Sequence, residues 1–163
     1  MENYMKLEIA ARSENESFAR SAVAAFALTL NPTLAELSDI KTAVSEAVTN
    51  CVVHAYRKER KDGKIYIECK TERTADEQKG ASCGVLHITV ADEGCGIEDI
   101  EQATTPFFTT LEDDERSGMG FTIMQTFMNG FAVESTRGKG TSVRMFKTIG
   151  GMENEEIKER LNA

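Results

Sequence analysis

A long amphipathic segment constrains the fold of this chain more than any other feature of its sequence. From about Thr33 to Tyr56, apolar residues recur at the period of an α-helix, which predicts one long helix with an apolar stripe. The stripe consists of Leu37, Ile40, Val44, Ala47, Val48, Cys51 and Ala55. A helix of this kind has to bury its stripe, so the fold must supply a second layer for it to pack on.

The opposite side of the predicted helix carries three polar residues at four-residue spacing, Glu46, Asn50 and His54. Residues four apart share a helix face, so these side chains are expected to line up. A carboxylate beside a neutral amide suits a general base next to a metal ligand. The alternative is the solvated side of an amphipathic helix, although Ala43 and Val53 make this face less than uniformly polar.

The rest of the chain supplies the second layer, because several short segments alternate apolar and polar residues as β-strands do. They are Met5–Ile9, Lys64–Lys70, Gly84–Val90, Phe131–Ser135 and Thr141–Lys147. A capping box at Ser13 and Glu16 predicts an earlier helix as far as Leu30, and a later helix is predicted over 119–128. Hairpins outnumber helix crossovers, so we predict an α/β two-layer sandwich. Its sheet is mixed but mostly antiparallel, with three main helices on one face.

Length and charge indicate a single domain that does not bind nucleic acid directly. The 163 residues are enough to bury a core, and we expect one domain at 1–147 followed by a charged tail at 148–163. Residues 71–82 and 104–117 are polar or lack periodicity, so they are expected to be flexible loops. The net charge of −8 disfavours nucleic acid, because phosphate contacts require a basic surface.

The cysteines and the absence of targeting signals predict a cytoplasmic protein. Cys51, Cys69, Cys83 and Cys95 have neither C-x-x-C nor zinc-site spacing, so we expect reduced thiols. The sequence shows no secretion signal, no apolar run of membrane-spanning length and no lipidation motif. We therefore expect no membrane contact.

Two glycine clusters indicate a nucleotide site. Asp92 follows a strand and begins the segment Asp-Glu-Gly-Cys-Gly, in which glycines let a planar ligand approach the backbone. The second cluster, 117–120, reads Ser-Gly-Met-Gly at a predicted helix start, where backbone N–H groups bind phosphate. Neither cluster has the third glycine of G-x-G-x-x-G, and the chain has no G-x-x-x-x-G-K-[ST] segment. The site is therefore neither a Rossmann site nor a P-loop.

The order Glu-Asn-His, then Asp-x-Gly-x-Gly, then Gly-x-Gly resembles the GHKL superfamily, whose nucleotide pocket is called the Bergerat fold. The resemblance implies ATP and Mg²⁺, with Asn50 supplying an oxygen to the metal and Glu46 accepting a proton. It places His54 towards the phosphates, with an ordinary surface histidine as the alternative. It also implies that Asp92 selects adenine through the adenine amino group, with Thr141 assisting through water.

The same resemblance completes the predicted set of nucleotide-binding residues. In this set Arg116 is expected to clamp phosphate, and the acidic run 112–115 beside it belongs to a mobile lid. The further members of the set are Gly94, Gly96, Ile97, Thr109, Ser117, Gly118, Met119 and Gly120.

Further blocks of sequence resemble a narrower family, the anti-sigma-F factors of endospore-forming bacteria. These blocks are Ala11–Arg20, Val44–Asn50, Phe108–Thr110 and Glu115–Met124, within a resemblance that spans roughly 6–147. The resemblance implies a homodimeric ATP-dependent serine kinase that binds sigma factor F and phosphorylates an anti-anti-sigma protein on serine. It implies that Arg20 contacts both protein partners. Leu111 departs from the pattern, because the family usually has a lysine there in the lid.

Two other functions stay open at this point. A non-enzymatic, sigma-factor-binding module would use ATP only as a structural ligand, and such a module needs no base at Glu46. A histidine-kinase catalytic domain is the weaker alternative. It requires a phosphoaccepting helical segment, for which the residues before the first predicted helix leave no room.

Overall fold

The computed structural model describes residues 2–56, 62–76, 81–106 and 119–150. Its strands are β1 Asn3–Ala10, β2 Lys64–Asp76, β3 Ala81–Asp92, β4 Gly130–Thr136 and β5 Gly140–Ile149. Its helices are α1 Glu14–Ala27, α2 Leu34–Asn50, α3 Ile100–Thr104 and α4 Gly120–Phe127, with a 3₁₀ turn at Leu28–Leu30 and a π turn at Cys51–Ala55. None of these described helices is long and apolar enough to span a membrane.

The described strands form one five-stranded sheet in the order β1-β2-β3-β5-β4. Every described strand pair is antiparallel, whereas a mixed but mostly antiparallel sheet was expected. The reason lies in the connections between the strands. The two helices between β1 and β2 return the chain to the same end of the sheet at which it left β1, so β2 runs antiparallel to β1. Strands β3 and β4 do run in the same direction, with α4 between them along the chain, but β5 separates them in the sheet.

The predicted apolar stripe of α2 forms the centre of the core. Ile40, Val44 and Val48 are fully buried against one face of the sheet. Helices α1 and α4 flank α2 and contribute to the same core. The strand residues in this cluster alternate along each strand and include Ile65, Ile67, Cys69, Leu86, Ile88, Val90, Val143 and Met145. The predicted α/β two-layer sandwich is therefore confirmed.

Strands β2 and β3 extend into the segment 71–82, which was expected to be a loop. They pair without interruption as far as Asp76 opposite Ala81, so that residues 77–80 lie outside the described hairpin. Thr71 is buried on the side of the sheet that faces the helices. The polar composition of the segment concealed this extension, because the other face of the hairpin is not covered by helices and accepts polar residues.

The capping box predicted at Ser13 is not formed, and one forms instead at Thr33. Ser13 makes no side-chain hydrogen bond to the start of α1, because its backbone is in the αR conformation and not in the extended conformation of a capping residue. Glu16, the other member of the predicted box, accepts a hydrogen bond from Ser45 of α2. Thr33 Oγ1 accepts a hydrogen bond from Glu36 N at 3.2 Å, and Glu36 Oε2 accepts one from Thr33 N at 2.7 Å. A tertiary contact between α1 and α2 therefore replaces the local cap of α1.

Replacing Thr33 by alanine should lower the free energy of unfolding by about 1 kcal/mol, because it removes the cap of the first turn of α2. Ser13→Ala is the matched control and should change this free energy by less than about 0.5 kcal/mol, because Ser13 caps no N–H group. Urea unfolding followed by circular dichroism measures both variants. Equal losses in the two variants would contradict the placement of the capping box.

Candidate functional site

Helix α2 continues into a π turn at the level of the predicted site. Glu46 and Asn50 belong to the α-helix, whereas His54 belongs to the turn, and all three side chains are half-buried. A π turn is wider than an α turn, so it changes the angular position of His54 relative to the other two. The main chain of His54 borders the loop after β3, where its carbonyl oxygen lies 3.3 Å from Cys95 Sγ, which donates to it.

The N-terminus of α4 packs directly on Glu46 and Asn50. A Cβ atom at Gly120 would lie 3.2 Å from Glu46 Oε2 and 3.2 Å from Asn50 Oδ1, so a glycine is what permits this approach. Met119 is the N-cap residue, and no side chain caps the helix. The first N–H groups of α4 therefore have no acceptor within the helix and lie next to a carboxylate and an amide.

Asp92 is a buried carboxylate at the end of β3, with 8% of its surface exposed. Its Oδ1 atom accepts hydrogen bonds from Gly94 N at 2.9 Å and from Thr141 N at 3.3 Å. Burial raises the pKa of Asp92, and these backbone donors act in the opposite direction. Asp92 and Thr141 are also directly opposite each other on β3 and β5, so the structure brings together two residues that the sequence predicted for one site.

Cys51 is a neighbour of Asp92 that sequence reasoning missed. It is the first residue of the π turn, it is buried, and its side chain is hydrogen-bonded to the Asp92 carboxylate. Burial raises the pKa of Cys51 well above its usual value, and the nearby charge of Asp92 raises it further. The thiol therefore stays protonated as a donor. In the sequence Cys51 belongs only to the apolar stripe, and nothing there signals this contact.

The glycines of the loop after β3 are required by backbone packing within the protein. A Cβ atom at Gly94 would collide with the main chain of Ala55, and Cys95 N donates to Ala55 O at 2.9 Å. Gly96 has a positive φ of 73° and lies against the main chain of Thr136. The glycines therefore hold this loop between the π turn and the end of β4, which positions the residues on either side of it.

Ser135 is a second residue that the sequence did not single out. Its hydroxyl accepts a hydrogen bond from Ile97 N at 2.7 Å and lies 2.8 Å from Thr141 Oγ1. Ser135 is opposite Thr141 in the β4–β5 pair, so a correct hairpin register would have identified it. It links Ile97 and Thr141, two predicted nucleotide-binding residues.

Arg20 lies on α1, on the other side of α2 from the Gly120 contact. Its guanidinium is 3.5 Å from Glu16 Oε1 and donates to Ser45 Oγ at 3.4 Å. Ser45 directly precedes Glu46, so the half-buried Arg20 is tied to the helix that carries the predicted base. Within the described residues, no hydrogen bond or ion pair joins Arg20 to Asp92 or Gly120.

Several predicted site residues lie outside the described residues. These are Thr109, Arg116, Ser117 and Gly118, together with the departure from the family pattern at Leu111. Their roles stay predictions.

Known proteins match this chain over most of its length. A family model described as a histidine kinase-like ATPase domain matches residues 9–147. The anti-sigma F factor of Thermoanaerobacter pseudethanolicus is 55% identical over 148 residues, which cover 91% of this chain and 95% of that relative. The anti-sigma F factor of Geobacillus kaustophilus is 52% identical over 149 residues, 91% of this chain and 94% of the relative.

A solved structure shares the fold at low sequence identity. It contains the RsbU and RsbW domains of a Mycobacterium tuberculosis protein and is 14% identical, with a TM-score of 0.58. The match covers 91% of this chain and 34% of that chain.

The sandwich, the glycine-built loop and the family model together define a histidine kinase-like ATPase domain. Within that class, the chain belongs to the anti-sigma F factor family. The family resemblance predicted from the sequence motifs is confirmed. The relatives support an anti-sigma factor function, and the domain supports ATP-dependent kinase activity in general terms.

The raised pKa of Asp92 predicts how stability depends on pH. A carboxyl group whose folded-state pKa is raised contributes most below its unfolded-state pKa of about 3.9, and this contribution is lost as the pH rises through the folded-state value. The free energy of unfolding of the wild type relative to Asp92→Asn should therefore fall as the pH rises from about 4 towards neutrality. Urea unfolding over this range measures the difference, and a relative stability that rises with pH would contradict the raised pKa.

Proposed function

We propose that this protein is an ATP-dependent serine kinase that also acts as an anti-sigma factor. It binds sigma factor F and phosphorylates an anti-anti-sigma protein on serine. The relatives named anti-sigma F factor support the sigma-factor partner, and the ATPase domain supports the use of ATP. The contact of Gly120 with Glu46 and Asn50 carries the proposal, because it puts a carboxylate, an amide oxygen and the N-terminus of a helix in one place.

The nucleotide in this proposal has its base at Asp92 and its phosphates at α4. The Asp92 carboxylate accepts a hydrogen bond from the adenine amino group, whereas guanine offers a carbonyl oxygen at that position and is rejected. Thr141 assists this contact, supported by its hydroxyl–hydroxyl contact with Ser135. The phosphates meet the first N–H groups of α4, where the helix dipole favours negative charge.

Asn50 is the residue proposed to hold Mg²⁺. Its side-chain oxygen is the hard, neutral donor that this ion accepts, and phosphate oxygens and waters would complete the coordination. Gly120 leaves that oxygen beside the helix end because it has no side chain of its own. Bound Mg²⁺ supplies neutralisation of the negative charge on the phosphates.

Glu46 is the proposed general base for phosphoryl transfer. It lies one turn before Asn50, and its Oε2 atom faces the same Gly120 position as Asn50 Oδ1. From there the carboxylate orients the incoming serine hydroxyl and accepts its proton as the oxygen attacks the γ-phosphorus. The bond from that phosphorus to the β–γ bridging oxygen breaks as the new bond forms, and ADP leaves. The N–H groups at the start of α4 stabilise the charge on the transferred group.

The protein partners are proposed to dock on α1 around Arg20. Glu16 and Ser45 hold the guanidinium in place, so little side-chain freedom is lost when a partner binds. Because Ser45 is adjacent to Glu46, a partner on this surface lies next to the helix that carries the base. We further propose a cytoplasmic homodimer that does not touch nucleic acid, in agreement with the net charge of −8.

The second candidate function is a sigma-factor-binding module that uses ATP only as a structural ligand. The position of Glu46 favours the kinase, because a binding module gains nothing from a carboxylate beside the phosphate-binding end of α4. The charge of such a carboxylate repels the phosphates, which weakens ATP binding and is of use only if the carboxylate has a chemical role.

Glu46→Gln should abolish phosphoryl transfer while ATP binding and sigma-factor binding remain. The amide has nearly the same shape as the carboxylate but cannot accept the serine proton, so the rate should fall by about a hundredfold or more. The measurement mixes the protein with labelled ATP, Mg²⁺ and a candidate anti-anti-sigma protein and follows phosphoserine formation. ATP affinity is determined in parallel by calorimetry.

Glu134→Gln is the matched control for this experiment. Glu134 is exposed on β4 and pairs with Arg144, so its loss should leave the transfer rate unchanged. Wild-type transfer by the Glu46 variant would overturn the base assignment. Absence of phosphoserine with the wild type and every candidate substrate would favour the binding module.

Arg20→Glu should weaken sigma-factor binding without changing ATP affinity. Arginine is a frequent interface hot spot, so the loss should be at least about thirtyfold. Arg144→Glu is the control, because Arg144 also pairs with a glutamate but lies on β5, away from α1. If the Arg20 variant inhibited sigma-dependent transcription at the same concentration as the wild type, the α1 surface would be excluded as the docking site.

A further inference from the structure

Lys147 forms a largely buried connection between β5, α2 and α4. Its side chain is 13% exposed, and its Nζ atom lies 2.8 Å from Asp39 Oδ2 on α2. The same atom donates to the carbonyl oxygen of Phe127, the last residue of α4, at 2.7 Å. The ammonium group therefore has two acceptors, a carboxylate on α2 and a main-chain carbonyl at the end of α4, and hydrogen bonds from a charged donor are among the stronger ones in proteins.

The two acceptors mark one end of the packing between α4 and α2. One face of α2 carries four residues at spacings of four, three and four positions, namely Asp39, Ala43, Glu46 and Asn50. Lys147 joins the Asp39 end of that face to the C-terminus of α4, whereas Gly120 at the N-terminus of α4 meets Glu46 and Asn50. The two helices are therefore antiparallel, with one contact at each end of α4.

Helix α4 depends on such contacts for its position. It has 8 residues, and a helix of that length is not stable alone in water. The positive charge of Lys147 lies at its C-terminal carbonyl, where the helix dipole favours a cation. A displacement of this end along α2 also moves Gly120, because a helix transmits displacement along its axis.

We propose that Lys147 is a positioning residue for phosphate binding. Together with Asp39 it fixes α4 along α2, so that the first N–H groups of α4 stay beside Glu46 and Asn50. This inference rests on the proposed function, because it assumes that α4 binds the phosphates of ATP. It assigns no role to Lys147 in binding adenine, because Asp92, Thr141 and Ser135 are held by contacts in which α4 takes no part.

The test compares ATP with adenosine, which has the base and sugar but no phosphate. Calorimetric titration in the presence of Mg²⁺ gives the affinity of the full-length wild type and of Lys147→Met for each ligand. The variant should bind ATP about tenfold more weakly, because a small misplacement of phosphate-binding groups is costly. Its affinity for adenosine should stay within about twofold of the wild type.

Two further variants make the outcome unambiguous. Lys70→Met is the matched control, because Lys70 is an exposed lysine paired with Glu68 on the sheet, and it should change neither affinity. Asp39→Asn keeps a hydrogen-bond acceptor but removes the charge, and it should show a smaller loss that is again confined to ATP. It carries the test if Lys147→Met does not fold.

The possible results separate this inference from the proposed function. If the wild type prefers ATP to adenosine and both variants keep that preference, the positioning role is wrong and the nucleotide site stands. A parallel loss of ATP and adenosine affinity would also overturn it, since it would show a merely structural role. If the wild type binds no ATP, the proposed function fails and the positioning role fails with it.

Discussion

The packing of α4 on α2 is the contact on which the candidate site depends. A glycine at position 120 lets the start of α4 approach Glu46 and Asn50 closely enough that even a Cβ atom would crowd both side chains. Ala43, fully buried on the same face of α2, leaves room for the two helices to come together. None of these groups is unusual by itself. The close packing of the two helices is what brings the carboxylate, the amide and the N–H groups of a helix end together.

At the other end of the candidate site, a buried carboxylate limits the stability of the fold. Asp92 is buried at the end of β3, and burial makes its ionised form costly. The protein reduces this cost with donors from Gly94, Thr141 and Cys51, which hold the carboxylate in one orientation. A buried acceptor of fixed orientation suits the selection of one base by its amino group. The same group lowers the stability of the fold near neutral pH.

Helix α2 also brings the two halves of the proposed function close together. Ser45 faces α1 and contacts Arg20 and Glu16, whereas Glu46, the next residue, faces α4. Consecutive residues of a helix point about 100° apart, so one helix can serve two surfaces. The proposed partner surface and the proposed base are thus neighbours without sharing a side chain.

The sequence by itself determined the types of element and the chemistry of the motifs, because helical periodicity, strand alternation and glycine spacing all depend on residues that are close together along the chain. The polar row at Glu46 and Asn50 and the segment after Asp92 were recognisable for that reason.

Only the tertiary structure decided the cap of α1, the length of the β2–β3 hairpin and the all-antiparallel pairing of the described strands. It also decided which distant groups meet, such as Lys147 and Asp39, which are separated by 108 positions. No local pattern encodes such a pair, since the packing of helices on the sheet brings its members together. Other pairs of this kind are Cys51 with Asp92 and Gly120 with Asn50.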